Sequence, residues 1–189
     1  MLQKKLIAVF LLLFIVGSAA AKPCIFYLDH HTFNCTFGES GVKIDKNEGD
    51  GATPIGEFQL REVFYRADRF KPGEINTKLP LIPLQVNDAW CDDVKLKQYN
   101  QHVKLPLNGS YERLWRDDHV YDIIVVIGYN DRLITKGKGS AIFLHIAREN
   151  FSPTSGCVAL KREDLLQVLS HLTPTSKIRI DSTGVVSLH

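Results

Sequence analysis

A histidine and a cysteine that could act together in acyl transfer lie in the segment HIARENFSPTSGCVAL. His145 is near the end of an apolar run, and Cys157 follows a glycine and begins a second apolar stretch. A thiol acts as a nucleophile in its thiolate form, which requires a nearby base or positive dipole, and His145 would supply that base. The alternatives for Cys157 are a buried, inert thiol or one half of a structural disulfide.

The glycine before the cysteine fits the catalytic interpretation. Gly156 can adopt backbone conformations that other residues resist, and it leaves room for a substrate carbonyl group. The backbone N–H groups of Gly156 and Cys157 could then form an oxyanion hole. Under this interpretation Cys157 stays unpaired.

The chain contains four cysteines. The spacing favours a disulfide between Cys24 and Cys35, which flank CIFYLDHHTFNC, a predicted strand–turn–strand. If Cys157 is catalytic, Cys91 is then the unpaired cysteine that remains. A disulfide is stable in an oxidising compartment, and the first residues of the chain predict such a location.

Those first residues are typical of a secretory signal peptide. A basic start precedes the apolar run Leu6–Val16, and small residues follow up to a predicted cleavage site after Ala21. The apolar run is shorter than the ~20 residues of a membrane-spanning helix. We therefore expect a signal peptide over residues 1–21, one domain over residues 22–189, and no transmembrane segment after cleavage.

Composition excludes several classes of partner. The chain has 189 residues and a net charge of +2, without a run of like charges, so nucleic acid is not an expected partner. His30 and His31 are adjacent and would point to opposite faces of a strand, which does not suit a metal site. The sequence therefore predicts no metal and no cofactor.

The pattern of apolar residues predicts a mainly β domain. The clearest strand is Val120–Asn130, whose unbroken β-branched run indicates burial on both faces. A second buried strand lies within SAIFLHI and contains His145. Helical spacing over Lys161–Leu172 predicts a helix, and Ser176–Ser182 predicts a closing strand.

The remaining segments read as short strands and turns. Further strands are predicted at residues 25–28, 32–37, 41–44 and 57–63. The segment SYERLWRD could form a short helix with Ser110 as its N-cap. The expected fold is therefore mainly β with one or two short helices.

Two separated segments resemble one known family. GSAIFLHI…PTSGCVALKREDLLQVL is similar to the catalytic segment of L,D-transpeptidases with a YkuD-type domain. DGATPIGEF (Asp50–Phe58) resembles the Thr-Pro-x-Gly-x-Phe element of that family. The resemblance extends from about Gly49 to Leu169. It implies a β-sandwich-type catalytic domain that remodels peptidoglycan through a Cys–His pair.

The resemblance also implies roles for individual residues. Cys157 would be the nucleophile and His145 its general base. The backbone carbonyl group of Ile146 would orient the imidazole ring. Gly156 would precede the nucleophile in the oxyanion region, and Thr154 matches the Ser/Thr position of the family pattern.

The sequence departs from the family pattern next to the nucleophile. Ser155 replaces a usual histidine, and Ala159 replaces a usual arginine or asparagine. The altered positions would border the substrate. We therefore assign Ser155 to substrate binding, together with Thr154 beside it and Arg148, which lies three residues after His145. The Arg148 guanidinium group could hold a peptide carboxylate by two hydrogen bonds, and a solvated surface arginine is the alternative.

The resemblance implies a peptidoglycan L,D-transpeptidase in the periplasm of the bacterial cell envelope. Cys157 would attack a stem-peptide amide, form a thioester and transfer the acyl group to an amine of another stem. One alternative is an L,D-carboxypeptidase or amidase that uses the same pair with water as acceptor. The other is a secreted wall-binding domain without catalytic activity, in which Cys157 would be paired or unreactive.

Overall fold

The computed structural model describes residues 24–189, so the signal peptide predicted over residues 1–21 lies outside the described residues. The helices are α1, Arg162–His171, and a 3-10 helix, His119–Tyr121. The strands are β1 Cys24–Leu28, β2 His31–Thr36, β3 Val42–Lys43, β4 Thr53–Pro54, β5 Gly56–Tyr65, β6 Leu81–Pro83, β7 Asp88–Cys91, β8 Gln101–Lys104, β9 Tyr111–Arg113, β10 Ile123–Ile127, β11 Phe143–Ile146, β12 Val158–Leu160, β13 Lys177–Ile180 and β14 Val185–Leu188.

Nine strands form one large sheet in the order β10-β11-β12-β2-β1-β14-β13-β5-β6. Because β10 also pairs with β5, the first eight strands of this order form a closed ring. A closed ring gives each of its strands a neighbour on both sides. The predicted β-rich class of fold is confirmed, and within residues 24–189 the only α-helix is α1.

Strand β10 is buried on both faces, as its unbroken β-branched run predicts. Ile123, Val125 and Ile127 point into one apolar core, which also contains residues of α1. Ile124 and Val126 point to the opposite face, into a second apolar cluster. The neighbouring strand β11 therefore runs through the middle of the protein, which holds His145 rigidly.

A small sheet of three strands, in the order β8-β7-β9, covers the second apolar cluster. The prediction of a short helix at SYERLWRD is wrong, because Tyr111–Arg113 forms strand β9. Tyr111, Leu114 and Trp115 have the i, i+3, i+4 spacing of apolar residues on one face of an amphipathic helix. Pairing of β9 with β7, which joins Cys91 to Tyr111, overrides that local pattern.

The predicted disulfide between Cys24 and Cys35 is present and joins β1 to β2. It lies in the first apolar core, on strands that continue the sheet from β12. The two other cysteines, Cys91 and Cys157, are free and buried. Cys157 is thus available as a thiol in this structure.

Candidate active site

Parallel pairing of two buried strands brings the predicted base and nucleophile together. His145 lies on β11, and Cys157 immediately precedes β12. The register pairs Leu144 with Val158, which places Cys157 opposite Phe143, two residues before His145 on the neighbouring strand. Both side chains line one cavity of about 250 Å³.

The sulfur of Cys157 is held by backbone groups. Sγ accepts a hydrogen bond from the Phe143 N–H group (3.3 Å) and donates one to the Ala141 carbonyl oxygen (3.3 Å). The side chain is only 7% exposed. Burial raises the pKa of Cys157 to about 12, so the resting group is a neutral thiol.

The imidazole ring of His145 is oriented by the backbone. Nδ1 lies 2.9 Å from the carbonyl oxygen of Ile146, the contact that the family resemblance implies. Since a carbonyl oxygen only accepts, Nδ1 carries the proton, and Nε2 of the neutral ring is left as the basic atom. Burial lowers the pKa of His145 to about 4, which keeps the ring neutral at pH 7.

The structure therefore contains a neutral thiol beside a neutral imidazole. Within residues 24–189, no hydrogen bond joins Sγ of Cys157 to the ring of His145, because the thiol points to Ala141. Hydrogen bonds between catalytic groups are often long in the absence of substrate and shorten when it binds. A substrate that displaces the contact with Ala141 would free the thiol to give its proton to His145, which lines the same cavity.

The turn before Cys157 is stabilised by the predicted binding residue Thr154. The Thr154 hydroxyl group donates to the Cys157 carbonyl oxygen (2.6 Å) and accepts from the Gly156 N–H group (3.1 Å). The N–H group of Gly156, predicted as an oxyanion donor, is thus already used inside the turn. Its oxyanion role stays a prediction, and it requires this N–H group to leave Thr154.

The upstream element DGATPIGEF contacts the nucleophile turn directly. The buried hydroxyl group of Thr53 donates to the Gly156 carbonyl oxygen (2.8 Å) and accepts from the Gly38 N–H group (2.9 Å). Gly156 has φ +140°, and a Cβ there would lie 2.9 Å from the Ala52 carbonyl oxygen. Glycine is therefore required by the close approach of the upstream segment, a reason that the sequence alone did not reveal.

The opposite wall of the cavity contains residues that sequence reasoning missed. Tyr121 packs edge-on against the His145 ring, with 5.1 Å between the ring centroids. The Tyr121 hydroxyl group donates to Oε1 of Glu112 (2.5 Å), and the Arg116 guanidinium group lies 5.2 Å from the tyrosine ring centroid. Glu112 and Arg116 come from a polar segment without a local signal of function.

Charges of both signs line this cavity. The positive groups belong to Lys46, Arg116 and Arg148, and the negative groups belong to Glu48, Asp92 and Glu112. Arg148 is half-exposed and lies 3.5 Å from a carboxylate oxygen of Asp118, which also pairs with Arg116 at 2.6 Å. The predicted residue Ser155 is exposed and lines the same cavity.

One carboxylate oxygen in the cavity wall has no partner. Oδ1 of Asp92 is buried and makes no hydrogen bond within residues 24–189. A buried acceptor without a partner costs free energy unless a ligand or a water molecule satisfies it. This oxygen is therefore suited to accept from a donor group of a bound molecule.

Within the part of the chain that the structure describes, no group of three or more His, Cys, Asp or Glu side chains could hold a metal ion. Over the same residues, no helix is long and apolar enough to cross a membrane.

A buried, free thiol and an oriented imidazole that face one cavity are the groups that a cysteine-dependent enzyme needs. Residues 26–180 match the family model of YkuD, the L,D-transpeptidase catalytic domain. Because the match covers most of the chain, the protein belongs to this family of cysteine enzymes that act on peptidoglycan. No curated protein and no solved structure matches the chain significantly.

Proposed function

We propose that the protein is a peptidoglycan L,D-transpeptidase with Cys157 as nucleophile and His145 as general base. The observation that carries the proposal is the placement of both side chains at one cavity, with Nε2 of His145 unprotonated. Cys157 is a free thiol. A wall-binding domain without activity would have no use for an oriented base at the same cavity.

The reaction begins from the neutral pair. As the amide carbonyl carbon of a stem peptide approaches Sγ, the thiol proton passes to Nε2 of His145 and the S–C bond forms. The imidazolium group then gives this proton to the leaving amine of the terminal D-residue, and the C–N bond breaks. A thioester on Cys157 and a neutral His145 remain.

The second half of the reaction reverses these proton movements. An amine of a neighbouring stem attacks the thioester while His145 accepts its proton, and the thiol leaves with that proton. The product is a cross-link between two stems, and the free enzyme is regenerated. With water as the acceptor, the same steps give a shortened stem and a carboxypeptidase activity.

The charges of the cavity fit a substrate that has both carboxylate and ammonium groups. Arg116 and Arg148 share the carboxylate of Asp118 and could exchange it for a substrate carboxylate. The unpartnered oxygen of Asp92 could accept from an ammonium group. Ser155 and Thr154, at the turn before the nucleophile, would contact the peptide beside the reacting bond.

The test is product analysis with purified stem peptides, comparing the wild-type protein with Cys157→Ala. Dimers formed only by the wild-type protein would support transfer. Shortened monomers without dimers would assign the hydrolytic activity instead. If neither product forms, and a carbapenem gives no covalent adduct of the wild-type protein by mass spectrometry, the proposed function is wrong.

We also propose that the protein is exported to the periplasm. The disulfide between Cys24 and Cys35 supports an oxidising compartment. The family acts on peptidoglycan, which lies outside the cytoplasmic membrane. Fractionation of cells that express the full chain would test this, and recovery of the protein in the cytoplasm with both cysteines reduced would contradict it.

A further inference from the structure

The sulfur of Cys157 has a neighbour that the Cys–His pair does not use. Tyr121 belongs to the same apolar cluster as Cys157 and lines the same cavity. The Tyr121 hydroxyl group donates to Oε1 of Glu112 at 2.5 Å. In this structure the tyrosine proton is therefore held on a carboxylate, at the wall of the cavity that also contains the sulfur.

Tyr121 is held firmly in this position. It ends the 3-10 helix, and the next residue, Asp122, is fully buried between Arg69 (2.5 Å) and His119 (2.8 Å). The ring packs edge-on against His145 and against Phe143, whose own N–H group donates to Sγ. The tyrosine ring therefore lies against the base and against the residue whose N–H group binds the sulfur.

A hydroxyl group has one proton, so it donates to one acceptor at a time. In the resting structure Tyr121 donates to Glu112, and the sulfur keeps its own proton. When the thiol loses this proton to His145, the sulfur becomes an anion that needs donors in a buried site. The Phe143 N–H group is one donor, and the hydroxyl group of Tyr121, which lines the same cavity, can supply a second.

We propose that Tyr121 is a further catalytic residue, which donates its hydrogen bond to the Cys157 sulfur as the thiolate forms. Glu112 is the positioning residue, because its carboxylate competes with the thiolate for the same tyrosine proton. With a proton on Glu112, the carboxyl group donates to the tyrosine oxygen and the tyrosine donates to sulfur. The proposal rests on the proposed function in that Cys157 is the nucleophile.

The ionisable groups around Glu112 are consistent with a competition between Glu112 and the thiolate for the tyrosine proton. Burial, with the charges of Asp92 and Glu48 as minor contributions, raises the pKa of Glu112. The hydrogen bond from Tyr121, and the charge of Arg116 against the tyrosine ring, oppose that shift. The cavity also contains Lys46, whose charge acts to lower the pKa of the thiol, and His145 on β11, which burial keeps neutral. A carboxyl group in these surroundings accepts a proton more readily than an exposed one.

The test measures the rate at which iodoacetamide alkylates Cys157 as a function of pH. This small probe reports the thiolate without a peptide substrate. We expect Tyr121→Phe to alkylate roughly tenfold more slowly and to raise the apparent pKa of the thiol, since a hydrogen bond to a charged group is lost. Tyr111→Phe, on β9, is the matched control and should keep the wild-type rate.

The variant Glu112→Gln should change the rate in the opposite direction. The neutral amide can donate to the tyrosine oxygen, and its own carbonyl oxygen is a weaker acceptor than a carboxylate, so alkylation should be roughly tenfold faster. Asp92→Asn removes a charge from the same cavity without a contact to Tyr121, and it measures the effect of charge alone. Glu163→Gln, at the exposed start of α1, is the surface control.

The pair of variants decides the proposal. Slower alkylation of Tyr121→Phe, with an acceleration of Glu112→Gln beyond that of Asp92→Asn, supports it. If Tyr121→Phe matches the wild type, or if the acceleration is no larger than that of Asp92→Asn, the proposal is overturned. Should Tyr121→Phe fail to fold, Tyr121→Leu takes its place in the first comparison, because the charge of Glu112 itself raises the pKa of the thiol and the second comparison does not isolate the tyrosine.

The result is separate from the outcome for the proposed function. If the alkylation rates change as expected but no stem peptide reacts, the substrate assignment fails and the role of Tyr121 stands. If stem peptides react while the alkylation rates of both variants equal that of the wild type, the role of Tyr121 fails and the enzyme assignment stands.

Discussion

The two free cysteines lie in two different sheets and have very different surroundings. Cys157 precedes β12 of the large sheet and lines a cavity together with a histidine and a tyrosine. Cys91 ends β7 of the small sheet and is fully buried, and the charges that act on it are those of Asp92, Asp93 and Lys136. Burial raises the pKa of both thiols, so their chemical difference comes from what surrounds them.

The comparison shows that burial alone does not define a nucleophile. A thiol without a base is converted to a thiolate only at high pH, and negative neighbours increase that cost. Cys157 has an oriented base, a backbone donor and an open cavity, and Cys91 has a strand on each side. The following predictions test whether those differences account for reactivity.

The largest expected effect separates the two cysteines directly. Cys157→Ala should abolish both thioester formation and product, because no other thiol lines the cavity among the described residues. Cys91→Ala should keep activity within about twofold and lower the free energy of unfolding by about 1 kcal/mol, since it removes a small buried group. Mass spectrometry of the acyl-enzyme and urea unfolding would measure these effects. Loss of activity in Cys91→Ala with intact folding would contradict the comparison.

The next effect concerns the base that Cys91 lacks. His145→Gln should slow thioester formation by roughly 10²–10⁴-fold, the usual contribution of general-base catalysis. His171→Gln, at the exposed end of α1, is the matched control and should have the wild-type rate. Single-turnover acylation followed by mass spectrometry would measure both variants. A wild-type rate in His145→Gln would remove His145 from the mechanism.

Both of those predictions concern residues that the sequence identifies. His145 and Cys157 belong to a continuous segment, with a strand on each side and a glycine before the thiol. β11 and β12 are parallel and consecutive in the chain, and the crossover between them is only residues 147–157, so local sequence carried most of the geometry. The helix predicted over Lys161–Leu172 also follows from local sequence, because its apolar residues have regular helical spacing.

The opposite wall of the cavity could not be predicted in this way. Glu112 lies on β9, which the sequence pattern suggested was a helix, and its partner Tyr121 follows after an irregular segment. Neither residue has neighbours that indicate chemistry. Their contact depends on pairing of β9 with β7, and pairing between segments distant in sequence leaves no local periodic signal.

The buried base should also have a measurable cost to stability. Burial lowers the pKa of His145 to about 4, whereas a histidine in an unfolded chain titrates near 6.5. The unfolded state therefore binds more protons between these pH values, and the free energy of unfolding falls as pH decreases through this window. The titration of His145 contributes roughly 3 kcal/mol to this fall in the free energy of unfolding.

Urea unfolding at pH 7 and at pH 4 would measure this contribution. His145→Gln cannot take up the proton, so its stability should fall by roughly 3 kcal/mol less than that of the wild type over the same interval. His171→Gln should follow the wild type. Equal losses in His145→Gln and the wild type would show that the ring is not held neutral.

The smallest effect concerns the contact between the two sequence motifs. Thr53→Val keeps the shape of the side chain but removes the hydroxyl group that joins the Gly38 N–H group to the Gly156 carbonyl oxygen. Both backbone groups lose a buried partner, so we expect the free energy of unfolding to fall by about 1–3 kcal/mol. The turn that holds Cys157 should also become less well fixed, with acylation roughly tenfold slower.

Thr36→Val is the matched control for this prediction. Thr36 is also buried and lies on β2 beside β12, but among the described residues its hydroxyl group makes no hydrogen bond to the turn. If the upstream motif positions the nucleophile, Thr53→Val should slow acylation and Thr36→Val should not. Equal rates in the two variants would mean that Thr53 stabilises the fold without positioning Cys157. In that case the reactivity of Cys157, compared with Cys91, would depend on the cavity wall and His145 alone.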